Sequence, residues 1–264
     1  MALSSQSLKI VVLGSGTSVG IPMVGCRCAV CRSDDPRDKR LRPSILVQYS
    51  GRNILVDTTP DLRSQLLRAG VDHLDAVLYT HAHADHLMGL DDVRPFNMLH
   101  GATIPVYGAP ETLAAIRRCF SYIFDGGEKE SSVPQLALHS ITEEPFDLFG
   151  LNVTPVPVLH GKQLIHGFRF GDAAYITDQS EIPSGSMGLL RGLDVLFLDA
   201  LRHRYHPTHS TVSHALSYVE KLVPSRALFT HMCHDLAHAA TEEALPPHVR
   251  LAYDTLEITV GGAE

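Results

Sequence analysis

The sequence predicts an α/β domain in which helices pack outside paired sheets, and three observations carry that prediction. Short apolar runs of strand length recur from end to end, the early ones meeting in hairpins. The later runs alternate with segments of helical period. No Pro/Gly/Ser-rich linker divides the 264 residues, so a single domain over residues 1–264 with a sizeable core is expected. Hydrophobic content of 44% and charged content of 19% are ordinary for a soluble globular chain. Tryptophan is absent and aromatics make up 6%, which predicts an aliphatic core.

Taken in order, the run from Leu8 to Leu13 reads as a buried strand that ends at Gly14-Ser-Gly-Thr-Ser18. Strands over Ser44–Tyr49 and Asn53–Asp57 follow, joined as a hairpin through Ser50-Gly51. Thr59 suits an N-cap, Pro60 the first helical position and Gly70 the C′ position of the next helix. A strand over Asp75–Tyr79 leads into a histidine-rich loop and then a helical segment from Leu87 to about Leu99. Ile104–Tyr107 is a short strand, and Pro110–Phe124 an amphipathic helix in which Cys119 reads as a small core residue. Further strands are expected at Leu136–His139, Leu151–Val158, Phe168–Phe170 and Ala173–Thr177, the last two turning at Gly171-Asp172. Asp194–Leu198, Ala227–Thr230 and Thr255–Val260 complete the strands, with a helix over Ser210–Val223. No solenoid-type repeat is present.

The chemistry concentrates at Thr80-His81-Ala82-His83-Ala84-Asp85-His86, which follows the apolar strand directly. A strand delivering that loop fans three imidazoles and a carboxylate around a shared point. Neutral imidazole and carboxylate suit zinc, manganese and iron, and there are enough donors for two adjacent ions. Bound metals turn water into a nucleophile near neutral pH and clamp a phosphoryl group. Three more candidate ligands stand where a strand meets a loop: His160, Asp178 and His231. His166 competes with His160, but His160 ends the clearer strand.

A second cluster is Cys26, Cys28 and Cys31, a C-x-C-x2-C spacing that forms three quarters of a tetrahedral zinc site. Five cysteines are an odd set, which in a reducing compartment points to metal in place of disulfides. His234, three residues past His231, leads as the fourth ligand, with Cys233 as its rival. Such a site ties the long Gly20–Pro43 loop to the floor of the first centre, the ion supplying the order.

These residues together resemble the metallo-β-lactamase superfamily, whose T-H-x-H-x-D-H motif matches Thr80 to His86. The resemblance covers nearly the whole chain and implies the αβ/βα four-layer sandwich. It implies one metal held by His81, His83 and His160, a second by Asp85, His86 and His231, and Asp178 as a bridge. The three-cysteine loop, Gly14-Ser-Gly-Thr-Ser18, Asp57-Thr-Thr-Pro-Asp61 and Thr230-His-Met-Cys-His234 narrow the match. They resemble the branch containing the phosphoribosyl cyclic phosphate phosphodiesterases of carbon–phosphorus lyase pathways, where the fourth ligand corresponds to His234. His209-Ser210-Thr211 reads as a helix entrance, and its resemblance to phosphodiesterase and transfer-RNA 3′-processing branches implies His209 as general acid, with His206 as substitute.

The function expected is therefore a phosphodiesterase with two catalytic divalent metals, zinc or manganese, and one structural zinc. Hydroxide bridging the pair attacks a small cyclic ribose phosphodiester, with Asp85 helping to hold it. The rival readings are transfer-RNA processing, glyoxalase II-like thioester hydrolysis and a non-catalytic metal scaffold. A net charge of −7 and the lack of a long basic insertion argue against nucleic acid as partner. The cluster Arg37, Lys39, Arg40, Arg42 reads as a solvated loop more readily than as a phosphate site. Gly14-Ser-Gly lacks the third glycine of a dinucleotide loop and the lysine of a P-loop. Asp57 is equally suited to orienting a ligand histidine and to a capping role, and Arg94 to pairing with its neighbouring acids. With no apolar signal segment at the start and no span of membrane length, a cytoplasmic, membrane-free protein is expected, with a homodimer as the default oligomer.

Overall fold

The computed structural model describes residues 8–126 and 131–261. The reading of the first residues as free of a signal segment concerns residues 1–7, which lie outside the described residues. In chain order, β1 (Leu8–Gly14), β2 (Ser44–Tyr49), β3 (Arg52–Val56), β4 (Ala76–Leu78), β5 (Ile104–Gly108) and β6 (Leu136–Ser140) build one sheet. The second comprises β7 (Phe146–Leu148), β8 (Leu151–His160), β9 (Gln163–Phe170), β10 (Ala173–Ile176), β11 (Val195–Asp199), β12 (Arg226–Thr230) and β13 (Val249–Leu251). The last strand, β14 (Glu257–Val260), returns to the first sheet beside β1. Sheet orders are β14-β1-β2-β3-β4-β5-β6 and β13-β12-β11-β10-β9-β8-β7.

Each sheet changes character partway across. Pairing is antiparallel from β1 to β3 and from β7 to β10, then parallel from β3 to β6 and from β10 to β13. Parallel neighbours need crossovers, and these carry most of the helices to the outer faces. Three buried clusters record the resulting layers. One lies between the sheets, from Ile10, Val47 and Ile54 to Phe168, Tyr175 and Phe197. A second packs Leu62, Leu66, Leu113 and Ile116 on the outer face of the first sheet, and a third packs Val212, Ala215 and Val219 on the second. Helix, sheet, sheet, helix is the four-layer α/β sandwich. The core is chiefly aliphatic, as expected, with rings at Phe168, Phe170, Tyr175 and Phe197 between the sheets and at Tyr79, Phe96, Phe120, Tyr218 and Phe229 in the outer clusters.

The β2–β3 hairpin turns with Ser50 at φ 50° and Gly51 at φ 74°, the type I′ pattern that matches strand twist. Helix Leu62–Arg68 starts two residues later than Pro60 implied. Thr59 caps a turn ahead of it, its hydroxyl accepting from the Asp61 N–H at 3.1 Å and donating to Gln65 Oε1 at 2.9 Å. Gly70 takes the left-handed C′ position as expected, at φ 64°. The expected helix from Leu87 breaks into Ala84–Leu87, a 3-10 turn at Leu90–Val93 and Arg94–His100, because Gly89 packs against the Thr59 carbonyl and Pro95 interrupts the ladder. Helix Pro110–Cys119 stops where Phe120 turns into the core, leaving Cys119 exposed in place of buried. β9 starts at Gln163, earlier than expected, because polar Gln163 and His166 disguise a strand that pairs fully with β8. Helix Val212–Leu222 is capped by Thr211, whose hydroxyl accepts from the His214 N–H at 3.1 Å, so His209-Ser210-Thr211 is the helix entrance as expected.

Candidate metal centre

Ligand-type side chains gather at the carboxyl ends of the strands, where open parallel sheets place their sites. Asp57 follows β3, the Thr80–His86 loop follows β4, His160 ends β8, Asp178 follows β10, Asp199 ends β11 and His231 follows β12. Asp57, Asp178 and His231 adopt left-handed φ values of 66°, 57° and 58°. Holding a non-glycine residue there costs roughly 1–3 kcal/mol each, a strain that concentrates where function fixes a side chain.

Donor atoms of His81, His83 and His160 lie within 4.8 Å of one another, as do those of Asp85, His86, Asp178 and His231. Asp178 also lies that close to His160 and His209, so it faces both groups. One of its oxygens is 3.1 Å from His86 Nε2 and the other 3.1 Å from His231 Nε2. The ring centroids of His81 and His86 are 4.2 Å apart, which makes the two groups neighbours.

Three of the rings, those of His81, His86 and His160, are held by their Nδ1 edges, which leaves Nε2 facing inward. His86 Nδ1 donates to Asp57 Oδ2 at 2.8 Å, and His160 Nδ1 to the Thr208 carbonyl at 2.8 Å. His81 Nδ1 donates to Thr80 Oγ1 at 3.0 Å, and that hydroxyl passes its own proton to Asp57 Oδ2 at 2.8 Å. Asp57 thus orients one histidine of each group, fixing the tautomer as carboxylate partners of metal-binding histidines do. Of the two roles open to Asp57, orientation is the one its geometry serves. Among the described residues His231 Nδ1 and His83 have no such partner, and His83 stands exposed.

Whether the donor set fits a cation can be judged from its charge and its unsatisfied atoms. Asp57, Asp85 and Asp178 are buried together without a lysine or arginine partner among the described residues. Buried carboxylates need positive charge nearby. Burial opposes their ionisation, yet His86 and His231 hold Asp85 and Asp178 below the usual carboxylate range. Burial keeps His81, His83 and His160 below the ordinary imidazole range, hence neutral and able to ligate. Nε2 of His81, His86 and His231 is buried without a hydrogen-bond partner. Converging unsatisfied nitrogens and uncompensated carboxylates are what one or more divalent cations would resolve.

In the second cluster, His234 Nδ1 lies 3.2 Å from Cys26 Sγ and 3.6 Å from both Cys28 and Cys31 Sγ. Cys233 turns away, its sulfur accepting from the Asp235 N–H at 3.4 Å. The Cys31 N–H pointing at Cys28 lowers that thiol to about 7, whereas burial pushes Cys31 up to about 11. Met232, next to His231 and two positions before His234, donates its N–H to the Ser15 carbonyl and accepts from the Thr17 N–H, tying both clusters to the loop after β1. Gly14 and Gly16 permit this, since a Cβ at either would meet the Arg42 carbonyl at 1.9 Å or Arg40 at 2.9 Å.

The basic cluster departs from its solvated reading. Arg40 is 1% exposed, its guanidinium donating to the carbonyls of Cys233 and Leu236 and to Asp38. Arg37 pairs with Asp35, Arg42 with Asp61, and Lys39 donates to the Cys31 carbonyl. These cations brace the cysteine loop. Arg94 pairs with Asp91 at 3.2 Å, as expected.

One functional-type residue escaped the sequence reading. Asp199, fully buried, accepts from His209 Nδ1 at 2.6 Å. An acid ending an apolar strand is a recognisable signal, the same one that marked Asp178. Burial raises Asp199 well above and lowers His209 below their ordinary ranges. The His209 ring stacks on His231 at 4.6 Å and has His206 at 5.0 Å on its other side. His166 joins none of these groups; its N–H supports the Thr80 carbonyl at 3.2 Å.

Comparison with known proteins agrees with this architecture. A family model described as a beta-lactamase superfamily domain matches residues 52–232. The crystal structure of a diphosphatase from the PhnP family shares 50% identity and a TM-score of 0.90, covering 95% of this chain and 97% of that one. A zinc-bound PqqB from Methylobacterium extorquens shares the fold at 20% identity and a TM-score of 0.77, over 95% of this chain and 99% of that one. A protein of Porphyromonas gingivalis named octanoyltransferase is 38% identical over 96% of this chain and 52% of its own length. The chain spans about half the length of the curated relatives it matches. Among the described residues no helix is long and apolar enough to cross a membrane. With well over half its length inside the matched region, the chain belongs to the beta-lactamase superfamily domain family and has the metallo-β-lactamase fold.

Proposed function

We propose that the chain is a single-domain, dinuclear-metal phosphodiesterase acting on a small phosphodiester, with a cyclic ribose phosphate as the favoured substrate. The observation that carries this reading is the Asp199–His209 pair stacked against the edge of the metal cluster. A positioned acid is needed where the leaving group is a strongly basic alkoxide. A thiolate leaves with a pKa of about 8.5 and has little use for one, which disfavours thioester hydrolysis. The 50% identical relative described as a diphosphatase supports phosphoryl chemistry. The octanoyltransferase name belongs to a protein twice as long and does not distinguish its matched half from the remainder.

In this reading His81, His83 and His160 would hold one cation and Asp85, His86 and His231 the other, with Asp178 facing both groups. Zinc or manganese suits both, and Cys26, Cys28, Cys31 and His234 suit a structural zinc. When bound, the catalytic pair supplies a water-derived nucleophile at neutral pH and neutralises charge on the phosphoryl oxygens. Asp85 and Asp178 accept hydrogen bonds from the attacking water and hold it in line with phosphorus. In its protonated form His209, oriented by Asp199 through Nδ1, would deliver a proton from Nε2 to the departing oxygen. Asp57 keeps His81 and His86 in the tautomer that presents Nε2 inward. Free thiols in such numbers suit a reducing, cytoplasmic setting.

The test is elemental analysis together with turnover of bis(p-nitrophenyl) phosphate by the loaded protein. About three metals per chain and measurable hydrolysis are expected. Full metal loading without any hydrolysis would leave the scaffold reading standing in its place.

A further inference from the structure

The loop between β11 and helix Val212–Leu222 carries His209, and apolar packing does little to hold it. From Arg202 to Thr211 the one buried residue is Ser210. A serine offers almost no apolar surface, so its place is set by its polar contacts. Its carbonyl accepts from the Leu201 N–H at 3.0 Å, and its Oγ lies 3.2 Å from His214 Nδ1. Two further bonds both go to Gln179. The Ser210 N–H donates to the Gln179 carbonyl at 2.9 Å, and Gln179 Nε2 donates to Ser210 Oγ at 2.9 Å.

Gln179 directly follows Asp178, the carboxylate that faces both ligand groups, and Ser210 directly follows His209. The Gln179 amide is fully buried, and its Oε1 has no hydrogen-bond partner among the described residues. Packing does not call for an amide there, because an alkyl side chain of similar size would fill the space without burying an orphan acceptor. What the amide adds is the bond to Ser210.

Resting on the phosphodiesterase reading above, we infer that Gln179 is a positioning residue for the proton donor, holding His209 in register with Asp178 by gripping both the backbone and the side chain of Ser210. Asp199 orients the His209 ring through Nδ1. A single hydrogen bond still lets the ring pivot, and a displacement of about 1 Å can cost on the order of 10²-fold in rate. The grip on Ser210 removes that freedom one residue from the ring. Ser180 acts on the other side of the same segment. Its Oγ donates to the Leu159 carbonyl at 3.0 Å and accepts from the Gly161 N–H at 2.9 Å, bracketing His160. Three consecutive side chains thus divide the work: Asp178 faces the ligand groups, Gln179 steadies the donor and Ser180 steadies a ligand histidine.

The experiment compares metal-loaded wild type with Gln179→Leu, Ser210→Ala and the double variant. The substrates are phosphoribosyl cyclic phosphate, whose departing oxygen is a sugar alkoxide, and bis(p-nitrophenyl) phosphate, whose departing phenolate needs no proton. In each single variant kcat on the cyclic ester should fall about tenfold, less than in His209→Ala because the backbone bond between Ser210 and Gln179 persists. On the aryl ester kcat should move by less than about twofold. The double variant should lose no more than either single one, since both remove one and the same bond. In the metal-free protein the His209 Nδ1 proton, sheltered by Asp199, should exchange with solvent faster in both variants than in wild type. Ser180→Ala, which loosens the segment on the His160 side, should instead lower both esters alike. Equal losses on the two esters in Gln179→Leu and Ser210→Ala, additive losses in the double variant, or unchanged proton exchange would each overturn the assignment. Ser210→Ala is the smaller change and decides the matter should Gln179→Leu fail to fold. A wild type inactive on both esters would defeat the phosphodiesterase reading itself, and this role with it.

Discussion

The two donor clusters are built in opposite ways. The histidine–carboxylate cluster takes its members from the ends of strands in both sheets, each strand already fixed by ladders and by cores of more than a dozen buried side chains. The cysteine cluster takes three of four members from the segment between β1 and β2, whose own apolar support is Ile21, Val30 and Cys31 with a few partly buried neighbours. In the first, the protein orders the donors and can hold them in left-handed backbone conformations. In the second, a bound ion would order the protein. Chemistry that needs exact geometry sits where the scaffold is stiff, and tethering sits where it is not.

The sharpest way to break this contrast is Asp178→Ala. Hydrolysis should fall by at least about 10³-fold, with metal lost from the histidine–carboxylate cluster and retained in the cysteine cluster. Loss of metal from both clusters would show Asp178 to be a structural member. Next, His209→Ala should cost about 10²–10⁴ in kcat on alkyl phosphodiesters and far less on p-nitrophenyl esters, whose leaving group needs no proton. Equal losses on both would assign His209 to binding or folding. Cys28→Ser tests the other cluster: unfolding stability of the zinc-loaded protein should drop by about 3 kcal/mol, with proteolysis appearing first between Gly20 and Pro43. If stability holds and activity vanishes, the two clusters have exchanged roles. The smallest effect is expected from Asp57→Asn, a loss of roughly 10–100-fold in metal affinity by competition with a chelator. That loss should affect the histidine cluster and spare the cysteine one.

The same contrast explains what could be read in the sequence. Thr80 to His86 was legible because its donors are local and follow a strand, and His160, Asp178 and His231 because each ends an apolar run. Asp199 ends one too, but its partner His209 lies ten residues away, and no local pattern joins them. Arg40 was misread because a run of basic residues is ordinarily a solvated face. What buries it is a set of carbonyls near residue 235, nearly two hundred positions distant. Short edge strands such as β7 and β13, three residues each, carry too little periodicity to stand out. The start of β9 was hidden by polar residues that its partner strand, not its own composition, holds in register.

Met232 has a reach that extends past architecture. It separates one donor of each cluster, and its backbone is stitched to Ser15 and Thr17 on the loop that leads to the cysteines. An electrophile that alkylates Cys26 or Cys28 would therefore tug on His231 through three residues of main chain. Hydrolysis could be silenced by a compound that bears no likeness to any phosphate ester and never enters the catalytic cleft.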